Sequence, residues 1–169
     1  GMVYSAGVDG TWPIKVNSIN KMRKMMDINC FAFVELARMF YSGRISNEGA
    51  SIVAISSIAS LTMEPGMVSY SASKAALNAV VKTMAKEFIR RKIRVNAVLP
   101  AGVSTPMAEM KGELLSEVQK VQEGQEKSDV HGLGMIPPEQ VAEQVEFLLS
   151  DKSAFKTGEF EVLSAGTWY

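Results

Sequence analysis

Four short runs of strand-forming residues, each parted from the next by a helical pattern, leave this chain few folds to choose from. The runs are 2–6, 51–56, 93–99 and 159–163. Gly7 stops the first, Ser-rich turn chemistry follows the β-branched second, and Pro100 ends the third. Between them, 20–41 places Met22, Met25, Met26, Cys30, Phe33, Leu36, Ala37 and Phe40 largely at steps of three and four. Residues 71–91 do the same with Ala72, Ala75, Ala76, Ala79, Val80, Met84 and Phe88, and a third helix over 141–149 is entered through Pro137-Pro138-Glu139. Such steps keep apolar groups on one helical face. Strands alternating with helices build β-α-β units and a parallel sheet. The middle strands are nearly all apolar, as expected when helices cover both faces. The fold class predicted is α/β, a partial doubly wound parallel sheet.

At 169 residues, with 47% hydrophobic and 21% charged residues, the chain reads as one globular domain over 1–169. Eighteen basic residues balance eighteen acidic ones, so net charge draws it to neither nucleic acid nor an anionic membrane. No apolar run approaches the ~20 residues that span a bilayer. One cysteine, Cys30, forms no internal disulfide and fits a reducing, cytoplasmic setting. His131, the only histidine, makes no metal site by itself. Trp12, Trp168 and Tyr169 read as core or interface packing. Residues 105–134 carry Met107, Met110, Leu114, Leu115, Val118 and Val121 in a charged background. That pattern predicts an amphipathic insertion after the third strand. Ligands of open α/β sheets sit beyond the carboxyl ends of the strands, so the insertion reads as a lid, with a helix packed on the surface as the alternative.

Three residues have the chemistry of a carbonyl site. Ser57 falls just past the carboxyl end of the second strand. Tyr70 and Lys74 are four apart at the start of the long helix and share one face. A phenol is a poor acid or base near neutral pH, but a nearby ammonium favours the phenolate and lowers its pKa. Ser57 can hydrogen-bond a substrate oxygen as charge develops there. Each residue alone has an ordinary reading: a packed tyrosine, a chance pair, a turn serine.

Taken in order, five stretches resemble the short-chain dehydrogenase/reductase family, and among its members the 3-oxoacyl-(acyl-carrier-protein) reductases. SIVAISSIAS is similar to the strand carrying the family's active serine, and YSASKAALNAV to its Y-x-x-x-K helix. RVNAVLPAGVSTPM resembles the strand followed by a P-G-x-x-x-T loop, VYSAG the N-N-A-G strand end, and VAEQVEFLLSDKSAFKTGEFEVLSAG the last helix and strand. Asn29 falls where the family has its helix asparagine. The separations agree: 22 residues from Gly7 to Asn29, 28 to Ser57, 13 to Tyr70 and 30 to Pro100.

The resemblance implies an oxidoreductase that transfers hydride between NAD or NADP and a carbonyl or alcohol substrate. Tyr70 would be the acid/base, Ser57 would position the substrate oxygen, and Lys74 would hold the nicotinamide ribose and lower the Tyr70 pKa. Asn29 would distort its helix so that its backbone carbonyl holds a water relaying protons to Lys74. The cofactor residues implied are Ser5, Ala6 and Gly7 at the first strand end, Tyr70 and Lys74, and Pro100, Ala101, Val103 and Thr105 in the covering loop. The apolar insertion points to a small hydrophobic, acyl-like carbonyl compound.

The chain also departs from the family pattern. Tyr4-Ser5 replaces the paired asparagines, weakening a network that ties this strand to its neighbours. Ala101 stands at the loop glycine, at a cost of about 1 kcal/mol if the backbone there is left-handed. Ala165-Gly166 replaces a glycine pair, a mild change. The first strand resembles the fourth of the family's seven, and no G-x-x-x-G-x-G occurs in the sequence. The resemblance therefore implies an N-terminally truncated chain whose first strand is an apolar sheet edge, prone to pair with another chain. A homodimer or homotetramer is expected, through the helices bearing Asn29 and Tyr70. The alternative to catalysis is a remnant that folds and oligomerises without holding a dinucleotide.

Overall fold

The computed structural model describes residues 1–105 and 132–167. Most of the 105–134 insertion, His131, Trp168 and Tyr169 lie outside the described residues.

The alternation in the sequence becomes a four-stranded sheet. Its strands are β1 (Met2–Tyr4), β2 (Ser51–Ile55), β3 (Arg94–Pro100) and β4 (Phe160–Leu163). They lie in chain order and all neighbours are parallel. Val53 sits beside Asn96 and Val98 beside Glu161. All seven residues of β3 are buried, Pro100 included. β1 is shorter than predicted and gives way to a loop at Ser5.

The helices follow their apolar stripes, with one interruption. The single helix expected over 20–41 is three pieces: α1 (Ile19–Met26), a π-turn (Asp27–Phe31) and α2 (Ala32–Tyr41). Ser18 caps α1, its hydroxyl accepting from the Lys21 amide at 3.3 Å. A four-residue turn of helix that the sequence pattern did not announce, α3 (Ala59–Thr62), follows β2. The long helix α4 (Val68–Phe88) ends through a 3-10 turn at Lys92, which adopts φ +54. α5 (Pro138–Leu149) begins with proline in its first turn, where the missing N–H is no loss.

Alternate strand residues face opposite helical layers. On one face Phe33, Ala37 and Phe40 join Leu77 and Val81 over Ile52, Ala54, Val95, Ala97 and Leu99. On the other, Leu148 of α5 covers Val53 and Val98.

Polar groups fasten the second layer. The buried Arg94 guanidinium donates to the carbonyls of Leu148 (2.7 Å), Leu149 (3.4 Å), Ser150 (3.1 Å) and Ser153 (3.1 Å), and to the Ser153 hydroxyl (2.7 Å). A cation thus meets the last carbonyls of α5. Asn96 donates to the Lys156 carbonyl and accepts from the Glu159 amide, fixing the approach to β4.

Two glycine replacements behave differently. Ala101 does not adopt positive φ, so alanine costs nothing special there. Ala165 does, at φ +48, next to Gly166 at +82. The strain expected at the loop is found at the end of β4.

Candidate active site

The site lies at the carboxyl ends of β2 and β3. The Ser56 amide donates to Val98 and that of Ile58 to Pro100, carrying the chain in register past β2. Ser57 is thereby held at the strand end, its Oγ accepting from the Ala59 amide at 3.2 Å. Tyr70 stands in the first turn of α4 and Lys74 one turn later. The Ser57 hydroxyl lies near enough to the Tyr70 hydroxyl to favour its phenolate form. Lys74 is buried, and its Nζ donates to the Ile55 carbonyl at 2.9 Å and lies 5.8 Å from the Tyr70 ring centroid.

Asn29 closes the far side. It is fully buried in the π-turn. Its Nδ2 donates to Ser73 Oγ of α4 and to the Val8 carbonyl, both at 2.9 Å, and its Oδ1 accepts from the Val8 amide at 2.8 Å. The chain after β1 is drawn against Lys74. A Cβ on Gly7 would lie 3.4 Å from Asn29 Oδ1 and 3.5 Å from Lys74 Nζ. The loop then reaches the turn before α4, where the Trp12 amide donates to the Gly66 carbonyl at 2.8 Å.

Burial governs the protonation of this pair. It pushes the Tyr70 phenol up to about 12, against the Ser57 hydroxyl that favours the phenolate. It pulls the Lys74 ammonium down to about 8. The expected lowering of Tyr70 is therefore reversed: the residue is half-buried, and desolvation of its phenol outweighs any pull from the ammonium. Asp9 is a charged neighbour absent from the sequence reading. Its carboxylate raises the pKa of both Tyr70 and Lys74. The signal for it was a carboxylate two residues after Gly7, in a stretch read only as the end of a strand.

The covering loop is fastened along its length. The Ala101 amide donates to Leu163, and Gly102 and Ser104 exchange hydrogen bonds with Ile136, beside which Val103 forms a bridge. Thr105 Oγ1 donates to the Val103 carbonyl at 3.3 Å. The structure thus gathers Asn29, Ser57, Tyr70, Lys74 and Gly7. Ser5 and Ala6 are exposed, and Ser5 instead lines an apolar groove of about 400 Å³ with Val3, Ile55 and Val145.

The residues fit the nicotinamide-ribose half of a dinucleotide. Lys74 offers a buried ammonium beside a phenol, and the loop that follows β3 is fixed to Leu163 and Ile136. Among the described residues, no group of three or more His, Cys, Asp or Glu is placed to hold a metal ion, and no helix is long and apolar enough to cross a membrane.

A family profile described as enoyl-(acyl carrier protein) reductase matches residues 1–167. The chain is 33% identical over 148 residues to a 3-oxoacyl-(acyl-carrier-protein) reductase FabG of Thermotoga maritima, covering 84% of this chain and 55% of the relative. It is 34% identical over 144 residues to human dehydrogenase/reductase SDR family member 4, covering 85% of this chain and 50% of the relative. The chain spans about half the length of these relatives. A solved 4-hydroxyisoleucine dehydrogenase complexed with NADH superimposes with a TM-score of 0.82 at 29% identity, covering 98% of this chain and 67% of that one.

Proposed function

The chain belongs to the short-chain dehydrogenase/reductase family, and on that premise we propose that it supplies the catalytic half of an NAD(P)-dependent oxidoreductase acting on a carbonyl or alcohol. The observation that carries this reading is the Ser57–Tyr70 hydroxyl pair with the Lys74 ammonium one turn away, all at the strand ends.

When bound, a nicotinamide coenzyme supplies or accepts the hydride. Lys74 and the loop from Pro100 to Thr105 would hold its nicotinamide-ribose end. Ser57 hydrogen-bonds the substrate oxygen and steadies it beside Tyr70. In reduction Tyr70 gives its proton to that oxygen as the carbonyl carbon becomes tetrahedral; in oxidation it takes the alcohol proton. A phenol held near 12 is a ready proton donor to a developing alkoxide. A lysine near 8 exchanges protons close to neutral pH and can reload Tyr70.

The half-exposed Phe31 and Met39 on the Asn29-bearing helical segments, and separately the fully exposed Phe155 after α5, support assembly into a homo-oligomer. A small apolar or acyl carbonyl compound is the substrate class favoured by the apolar pattern of 105–134. The free, buried Cys30 agrees with a reducing cytoplasmic setting.

Calorimetric titration of NADPH and NADH into the protein, followed by a carbonyl panel, tests this reading. Micromolar binding and coenzyme-linked turnover are expected, with Tyr70→Phe lowering turnover by about 10²–10⁴-fold. No binding at millimolar coenzyme overturns it and leaves a folded, oligomerising module.

A further inference from the structure

The π-turn that presents Asn29 leaves a backbone group in need of a partner, and one side chain outside the site provides it. In regular α geometry the Ala32 amide would bond the carbonyl four residues back, that of Ile28. It donates instead to Asp27, five residues back. The Ile28 carbonyl thereby loses its ordinary donor just where the turn widens. The Tyr4 hydroxyl, arriving from β1, donates to that carbonyl. We propose that Tyr4 is a positioning residue: its hydroxyl replaces the displaced amide at Ile28 and holds the π-turn open, so that Asn29 stays aimed at Val8 and Ser73 beside Lys74.

The geometry suits this task. Tyr4 is 5% exposed, and its ring packs on Phe33 with centroids 5.4 Å apart. The ring is thus anchored on α2, one turn past the residue its hydroxyl reaches. Burial and the neighbouring Cys30 push the phenol up, so it stays protonated and remains a donor. A π-turn is rare, and unsupported carbonyls in a helix are costly where water is excluded. Tyr4 also stands at the place where the sequence comparison expected an asparagine and a weakened network. A tie exists, and it runs from β1 to the Ile28 carbonyl of the π-turn.

The significance for catalysis rests on the dehydrogenase reading; the pin itself does not. The test uses the full chain and NMR. In the parent protein, a slowly exchanging Tyr4 hydroxyl proton with a through-space contact to Ile28 is expected; its absence overturns the proposal even if no variant folds. In Tyr4→Phe, which keeps the ring, the Asn29 carboxamide resonances should move and the Ala32 amide should lose about tenfold of its exchange protection relative to the core amides of β3. Replacing Tyr4 by p-aminophenylalanine, which restores a donor, should reverse both changes. Unchanged Asn29 and Ala32 signals in Tyr4→Phe overturn the proposal. Where turnover is measurable, kcat should fall about tenfold with KM held, and return in the p-amino variant. A parent without turnover defeats the dehydrogenase reading and leaves the NMR outcomes to decide the pin.

Discussion

Asn29 grips Val8 by both of its backbone groups, donating to the carbonyl at 2.9 Å and accepting the amide at 2.8 Å. A side-chain amide thereby does for this loop what a neighbouring strand would do. Asn29→Ala leaves both groups and Ser73 Oγ without that partner, and about 2–3 kcal/mol of stability should be lost. Urea denaturation measures it, and a loss below about 0.5 kcal/mol would mean the clamp contributes little.

Lys74 should titrate near 8, visible by NMR of its side-chain carbons. The sign of the stability effect follows. The folded-state pKa lies below the unfolded 10.5, so between about 8 and 10.5 the unfolded chain holds the extra proton and stability rises with pH. Tyr70 acts oppositely: its folded value of about 12 exceeds the unfolded 10, so its contribution is full below 10 and is lost as pH climbs towards 12. The pair should give a stability maximum near pH 10. Lys74→Met should remove the rising limb; an unaltered limb would assign it elsewhere.

Asp9→Asn removes a negative charge that raises both groups. Lys74 and Tyr70 should both titrate lower in the variant. If only one of them moves, Asp9 does not act on the pair as a common neighbour.

Much of this architecture was legible because it is written in local patterns. The β-branched run ending at Ile55 and the four-residue spacing of Tyr70 and Lys74 depend on a few adjacent residues. The π-turn was not legible in the same way. Apolar residues continue on both sides of it, and its trace is the five-residue step between buried Met25 and Cys30, hidden by buried Asn29. The protonation of Tyr70 was misjudged because sequence spacing reports a neighbouring charge but not desolvation. Asp9 and Tyr4 act across the fold, on α4 and on the π-turn, and a local pattern does not say which distant group such a residue meets.

Arg94 offers a test of the layer behind the sheet. Arg94→Met keeps the stem but abandons the carbonyls at the end of α5, and about 3 kcal/mol should be lost in thermal or urea melts. Arg94→Lys should recover only part, since an ammonium cannot fork to four carbonyls. Full recovery with lysine would show that charge alone suffices.

Ala165→Gly should stabilise the protein by about 0.5–1 kcal/mol, because φ +48 disfavours a side chain. The same change at Ala101, where φ is not positive, should give no gain. A melt of the two variants side by side separates backbone strain from any general effect of glycine.

The strand order has a consequence for how the chain reaches this state. Each strand pairs with the one immediately before it, from β1 through β4. A ribosome releases residues in that same order, at about 5–20 per second. β2, β3 and β4 would therefore each meet an edge already made. Sheet growth can keep pace with translation, and the apolar β3 is sheltered on one side from the moment it appears.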